Sequence, residues 1–332
     1  RLDEGVGLES HLNYEGSELP DSWRKSLGDS RGRPEYPARI PRGATVAAAG
    51  RIDPRAAARL LSMSLAQLEG EKWAGARQVA RGLLLGKDPL DDVLPALGRN
   101  WAFYLAPRPA AGANEFPVDA LLAVELPAEE GYEPGDGGPT LRGALDNALN
   151  TGLNYTAALH NGKTTAPPAI VRTSESGSTR TRWVEGFGEF EPAFAITSDA
   201  LVVSTSPEAI GGFTSVTDRT RLSESPAFRE LSGKYLSDES QLLLVDLEAV
   251  RGFVRRHAEL FGSEPRDAEA DAGSADAPVP VYQPDSQIVD VLGLFDAAFA
   301  AVRFEEDRIR LVAGGVLLPA AREADSGSAR RN

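Results

Sequence analysis

The stretch AFAITSDALVVSTSPEAIGGF, residues 193–213, constrains the fold of this 332-residue chain more than any other. Two apolar arms, Ala193 to Thr197 and Leu201 to Ser204, flank Ser198-Asp199-Ala200. Ser and Asp bond to nearby backbone and favour turns, so the arms read as an antiparallel hairpin. Ser206 then stands as a helix N-cap. Pro207 takes the first helical position, where its missing N–H is no loss, and Glu208 lies in the first turn, where negative charge suits the helix dipole. Ser198, Asp199, Ser204, Thr205 and Ser206 could form a catalytic cluster, but each has a backbone duty here, and none is assigned a catalytic role.

The same grammar recurs along the chain. ATVAAAG (44–50) reads as a buried strand, with Asp53 as N-cap and Pro54 opening a helix whose Ala58, Leu61, Leu65 and Leu68 share a face. A second helix over 72–85 ends at Gly86, and Asp88 caps a third, PLDDVLPAL. Strands NWAFYLAP (100–107) and DALLAVELP (119–127) precede a long helix over 139–159, closed by His160-Asn161-Gly162 with Gly or Asn suited to a left-handed cap. Strands near 169–173 and 180–185 follow. After the hairpin come a helix at 226–234, strand QLLLVD (241–246), the amphipathic helix EAVRGFVRRHAELF, a helix at 286–299, and a hairpin turning at Glu306-Asp307.

Paired strands interrupted by groups of helices indicate an α+β fold, with antiparallel hairpins and a mixed sheet packed against helices. A two-unit repeat is also expected. SELPDSWRK (17–25) and SESPAFRE (223–230) each precede a strand, an Asp and a helix, TVAAAGRIDPRAAARLL in one case and QLLLVDLEAVRGFV in the other. The expected divisions are an extended N-terminal segment over 1–40, an α+β domain over 41–235, a partial second unit over 236–320, and a disordered tail over 321–332. Residues 263–284 are acidic and Ala/Pro-rich and read as a solvated linker.

A net charge of −14 excludes broad electrostatic binding of nucleic acid or anionic lipid. No run approaches the length of apolar sequence that a membrane-spanning helix needs. Residue 1 is an arginine, so any signal peptide or anchor is expected upstream. Zero cysteines exclude disulfides and thiolate chemistry, and three distant histidines, His11, His160 and His257, make a histidine metal site a poor expectation.

Local motifs resolve into structural roles. AALHNGKTT (157–165) has the end of a phosphate loop, but Ala157 replaces its leading glycine and the stretch closes a helix instead of opening one. Ser22 and Lys25 in SWRK match S-x-x-K without the ordered partner motifs of that chemistry. No G-x-S-x-G elbow occurs, and nothing singles out a histidine as base. Asp88, Asp91 and Asp92 suit a helix start better than a metal. EEGYEPGDGG (129–138) lacks EF-hand spacing, and Asn154-Tyr155-Thr156 falls on a helix. Trp23, Trp73, Trp101 and Trp183 are single and read as core or packing residues, not as a sugar-stacking platform. No catalytic, cofactor-binding or metal-binding residue is assigned.

FAITSDALVVSTSPEAI, SESPAFREL and SQLLLVDLEAVRGF, with DVLPALGRNWAFYLAPRP upstream, resemble a family of uncharacterised exported bacterial proteins. In that family a hairpin, a Ser-Pro helix, an "SPAF" helix and an "LVDL" strand follow in this order. The resemblance spans residues 85–250 and implies a periplasmic or envelope location and a repeated α+β architecture. It carries over no catalytic residue. The expected function is that of a non-enzymatic exported domain acting through protein–protein contacts, with protein partners or its own copies, in a larger assembly. The alternatives are a hydrolase with a site built from distant loops, and a carrier of an apolar or glycan ligand held between sheet and helices.

Overall fold

The computed structural model describes residues 5–15, 17–66, 70–108, 117–128, 140–163, 167–176, 179–188, 190–217, 221–225, 228, 229, 231, 239–256, 293 and 295–317. In chain order the elements are β1 (Gly5–Asn13), α1 (Asp21–Asp29), β2 (Val46–Arg51), α2 (Pro54–Ala66), α3 (Gly70–Leu83), β3 (Asn100–Pro107), β4 (Val118–Glu125) and α4 (Leu141–Asn161). Then come β5 (Ile170–Ser176), β6 (Thr179–Glu185), β7 (Ala193–Ile196), β8 (Ala200–Ser204), α5 (Pro207–Thr214), β9 (Gln241–Asp246), α6 (Leu247–Arg256), β10 (Phe295–Phe304) and β11 (Arg308–Leu317). The fold is α+β. Its eleven strands pair in the order β1-β11-β10-β9-β2-β3-β4-β8-β7-β6-β5, in an antiparallel sheet.

The chain divides into two compact units. The larger holds Glu9–Leu243 with Ala300–Val312; the other holds Arg1–Leu8, Leu244–Phe299 and Ala313–Asn332. In the smaller unit Asp246 caps α6, accepting the Ala249 N–H at 2.7 Å, and Arg251 donates to the Phe295 carbonyl at 2.6 Å. Both segments paired as repeats in the sequence take the same succession: strand, capping aspartate (Asp53 or Asp246), helix, and later a hairpin, β3–β4 or β10–β11.

In the larger unit, strand alternation sorts side chains into two faces. Ala47, Ala49, Ala102, Tyr104, Leu121, Ala123 and Val202 are buried on one. α5 and a short 3-10 turn at Tyr36–Arg39 cover it: Tyr104 donates to the Ala209 carbonyl at 2.9 Å, and Tyr36 meets Phe213 edge to face at 5.9 Å. At the β5–β7 end, α4 covers the opposite face. There Ala157 packs with Ala169 and Val184, and Leu145 with Ile196, Leu84, Val93 and Leu126. Gly50 on β2 is a point of close approach, since a Cβ there would overlap the Gln241 amide that donates to the Arg51 carbonyl.

The structure differs from the sequence expectations at four places. Residues Phe295 to Phe299 form a strand instead of the end of a helix, because Ala297, Phe299 and Ala301 are buried at alternate positions and the hairpin partner β11 is at hand. The first forty residues include the edge strand β1. α4 ends without a left-handed residue: Gly162 has φ −76, and the Asn161 side chain instead clamps Ala169, donating to its carbonyl at 3.0 Å and accepting its N–H at 2.7 Å. On α2, Ala58 is buried but Leu61 is exposed along with Leu60 and Met63. The linker 263–284, the tail, His257 and residues 129–138 lie outside the described residues, as does most of the expected helix at 226–234.

The hairpin β7–β8 is held from outside by Arg142, a buried arginine in the first turn of α4, which Thr140 caps by accepting the Gly143 N–H at 3.0 Å. Its guanidinium donates to the carbonyls of Thr197, Ser198 (2.7 Å), Pro127 (2.9 Å) and Leu126 (3.3 Å). One planar fork of donors thus serves the end of β4 and the turn between β7 and β8. Truncation leaves several buried carbonyls without donors, at a cost of order 1–3 kcal/mol each before relaxation. Arg142→Ala should therefore lower unfolding free energy by about 3 kcal/mol in a urea titration, and Arg142→Lys should recover less than half of that. A loss below about 1 kcal/mol for the alanine variant would contradict this role.

Candidate functional site

The sheet face opposite α5 is apolar and only partly covered. Register places Phe103, Leu122 and Val203 in one row across β3, β4 and β8, with Ala48 of β2 opposite Phe103. A second row runs Gly50, Trp101, Val124, Leu201, and a third runs Val46, Leu105, Ala120. Gln241 reaches over Gly50, so Leu243 two residues on belongs to the same face. Leu122, Val203 and Leu243 are 44, 38 and 40 % exposed. Phe103, Trp101, Leu105 and Leu201 are half-buried. Central strands of a sheet are rich in β-branched and aliphatic residues for packing, and here one face of that packing surface meets solvent.

The backbone groups of these strands are engaged in their ladders, so this face offers side chains alone. Aliphatic and aromatic side chains in flat rows have no directed chemistry. Their one favourable act is to leave water against another apolar surface, worth roughly 25 cal/mol for each Å² buried.

The polar residues singled out in the sequence serve the fold. Thr197, not Ser198, supplies the turn hydroxyl: its Oγ1 accepts the Ala200 N–H at 2.9 Å. The Asp199 carboxylate meets Arg39 at 2.5 Å. Ser204 Oγ accepts the Ser206 N–H at 3.0 Å, Thr205 Oγ1 accepts the Ala120 N–H at 2.9 Å, and Ser206 caps α5 through the Ala209 N–H at 3.2 Å. Burial holds the neighbouring Asp119 carboxyl above its ordinary range while Ser206 and Arg108 pull it down. Ser22 and Lys25 lie on α1, and the AALHNGK segment closes α4.

His11 lies on β1 beside Glu9 at 3.1 Å, and His160, in the last turn of α4, stands against Phe187 at 5.1 Å. Asn154 lies on α4 and donates to the Asn150 carbonyl at 2.8 Å. None of the four tryptophans is in the core: Trp23 is exposed, and Trp73, Trp101 and Trp183 are half-buried. Among the described residues no group of three His, Asp or Glu could hold a metal ion. No described helix is long and apolar enough to cross a membrane.

Asp88 does cap the turn that follows it, accepting the Leu90 and Asp91 N–H groups at 2.9 Å, and it has a second duty. Arg77 holds it through two bonds, Nε at 2.6 Å and a terminal nitrogen at 2.8 Å, and Arg81 adds a third at 2.7 Å. The Arg77 guanidinium, the two backbone N–H groups and Arg81 together keep the Asp88 carboxyl well below the usual carboxylate range, against the opposing effect of burial.

No family model matches the chain, and no curated protein matches it. Among solved structures, crystal form I of TP0453 is similar at TM-score 0.27 and 10 % identity, over 90 % of this chain and 98 % of that one. Crystal form III of TP0453 is similar at TM-score 0.29 and 9 % identity, over 88 % and 97 %. At such values neither likeness bears on fold or function.

A depressed folded-state pKa contributes stability that is full above the unfolded value, about 3.9, and is lost as pH falls through the folded value. Asp88→Asn should therefore cost about 2 kcal/mol at pH 7, the range for hydrogen bonds to charged groups. The gap between parent and variant should then close progressively below about pH 4. A gap independent of pH between 7 and 2, read by urea unfolding at each pH, would contradict the ion-pair role.

Proposed function

We propose that the chain is a non-enzymatic docking domain of an exported, envelope-associated assembly, and that the open face of β9, β2, β3, β4 and β8 receives an apolar surface of a partner protein. The observation that carries this reading is the row Phe103–Leu122–Val203, with Leu243 beyond it, left in water on central strands. Large aliphatic groups gathered on one face favour burial against a partner. A partner protein suits the face better than a second copy, because chains of net charge −14 repel one another. The flat rows suit a protein surface better than a single acyl chain, which gains most from an enclosed apolar cleft. The resemblance of residues 85–250 to exported bacterial proteins supports the envelope location.

The test is recovery of the chain from the cells that make it, under conditions that keep complexes whole, beside a Leu122→Glu/Val203→Glu variant. The parent should co-purify with a partner from the envelope or periplasmic fraction. The variant should stay folded by circular dichroism and bind the identified partner at least about 30-fold more weakly, the loss expected at the centre of an interface. Equal binding by the variant, a parent that is always recovered alone, or a cytoplasmic location would each overturn the reading.

A further inference from the structure

A separate feature lies at the end of the sheet where β2 finishes and β3 begins. A cavity of about 530 Å³ opens there within the larger unit, between α1, the start of α2 and the segment leading into β3. Four cations line it: Lys25, Arg51, Arg55 and Arg99. Four carboxylates line it too, but three are already occupied. Asp29 holds Arg99 at 3.0 Å. Asp53 accepts the Ser26 hydroxyl at 2.7 Å and the Arg55 N–H at 3.0 Å. Glu125 accepts both the backbone and the side-chain N–H of Asn100 at 2.8 Å.

What is left is unbalanced. Among the described residues Lys25, Arg51 and Arg55 have no carboxylate partner; Asp29 has Arg99 and Asp53 has Arg59 at 4.0 Å, while Glu35 and Glu125 have no cation, which leaves three cations facing two carboxylates. The Nε of Arg51 is also buried with no hydrogen-bond acceptor. Buried donors are nearly always satisfied, and a guanidinium fork matches the two oxygens of a phosphate or carboxylate group. We infer that this cavity binds a small oxyanion-bearing molecule, its phosphate or carboxylate taken by the Arg51 fork with Lys25 and Arg55 beside it, and a hydroxyl or ammonium of the same molecule facing Glu35. The volume suits a small organic anion better than a bare ion. This inference does not depend on the docking face.

Isothermal titration of the full chain at low salt, with inorganic phosphate and with citrate as probes, tests it. Binding of either probe at a single site is expected, and Arg51→Gln should weaken that binding at least tenfold while leaving the unliganded melting temperature unchanged or higher. Phosphate alone binding marks a phosphate-bearing ligand, and citrate alone a carboxylate-bearing one. Should Arg51→Gln fail to fold, the exposed pair Lys25→Gln/Arg55→Gln gives the same readout. Binding by neither probe, or binding that ignores these substitutions, overturns the inference.

Discussion

The arrangement depends on the register of three neighbouring strands. With Phe103 opposite Leu122 and Leu122 opposite Val203, every odd-numbered residue of β3 falls on one face and every even-numbered residue on the other. Because the strand period is two, a slip of one residue would bury Trp101 and Phe103 and expose Tyr104. Tyr104 cannot be moved cheaply: it is buried, its hydroxyl is bonded to Ala209, and burial holds that hydroxyl protonated well above the ordinary range. One face is thereby committed to α5 and the turn around Tyr36. The other is free to carry apolar side chains that the chain does not bury for itself.

That register is pinned by polar groups which resemble a reactive cluster only when seen as a string of letters. Thr197, Asp199, Ser204, Thr205 and Ser206 each bond backbone or a structural arginine, and Arg142 gathers the carbonyls that the turn and the end of β4 leave over. A buried cation that bonds four backbone carbonyls fixes geometry tightly, since moving any one of those peptides leaves a donor or acceptor unmet. The polar density of residues 193–213 is thus a measure of how firmly the hairpin is held.

Much of this architecture was legible in the sequence because it rests on short-range rules. Turn residues, N-caps at Asp53, Asp88 and Ser206, and the apolar arms of β2, β3, β4, β7, β8 and β9 each carry their signal within a few neighbours. Where partners decide, the signal fails. Phe295 to Phe299 is alanine-rich and reads as helix until β11 is placed beside it. Arg142 is one arginine among many until four carbonyls converge on it. The open face left a trace that could have been read: NWAFYLAP and DALLAVEL are apolar at both parities, which in an antiparallel sheet means that both faces are built to be covered. The cations around the cavity left none, since Lys25, Arg51, Arg55 and Arg99 come from α1, β2, α2 and the segment before β3.

On the reading proposed above, the second face of the central strands is open in the isolated chain and closed in its natural setting. The chain has no cysteine, so a single introduced thiol reports its own surroundings. Leu122→Cys and Ala123→Cys differ by one residue and point to opposite faces. Maleimide labelling should modify Cys at 122 readily in the purified chain and slowly in intact cells, while Cys at 123 stays protected in both. Equal, rapid labelling at position 122 in both settings would contradict the account.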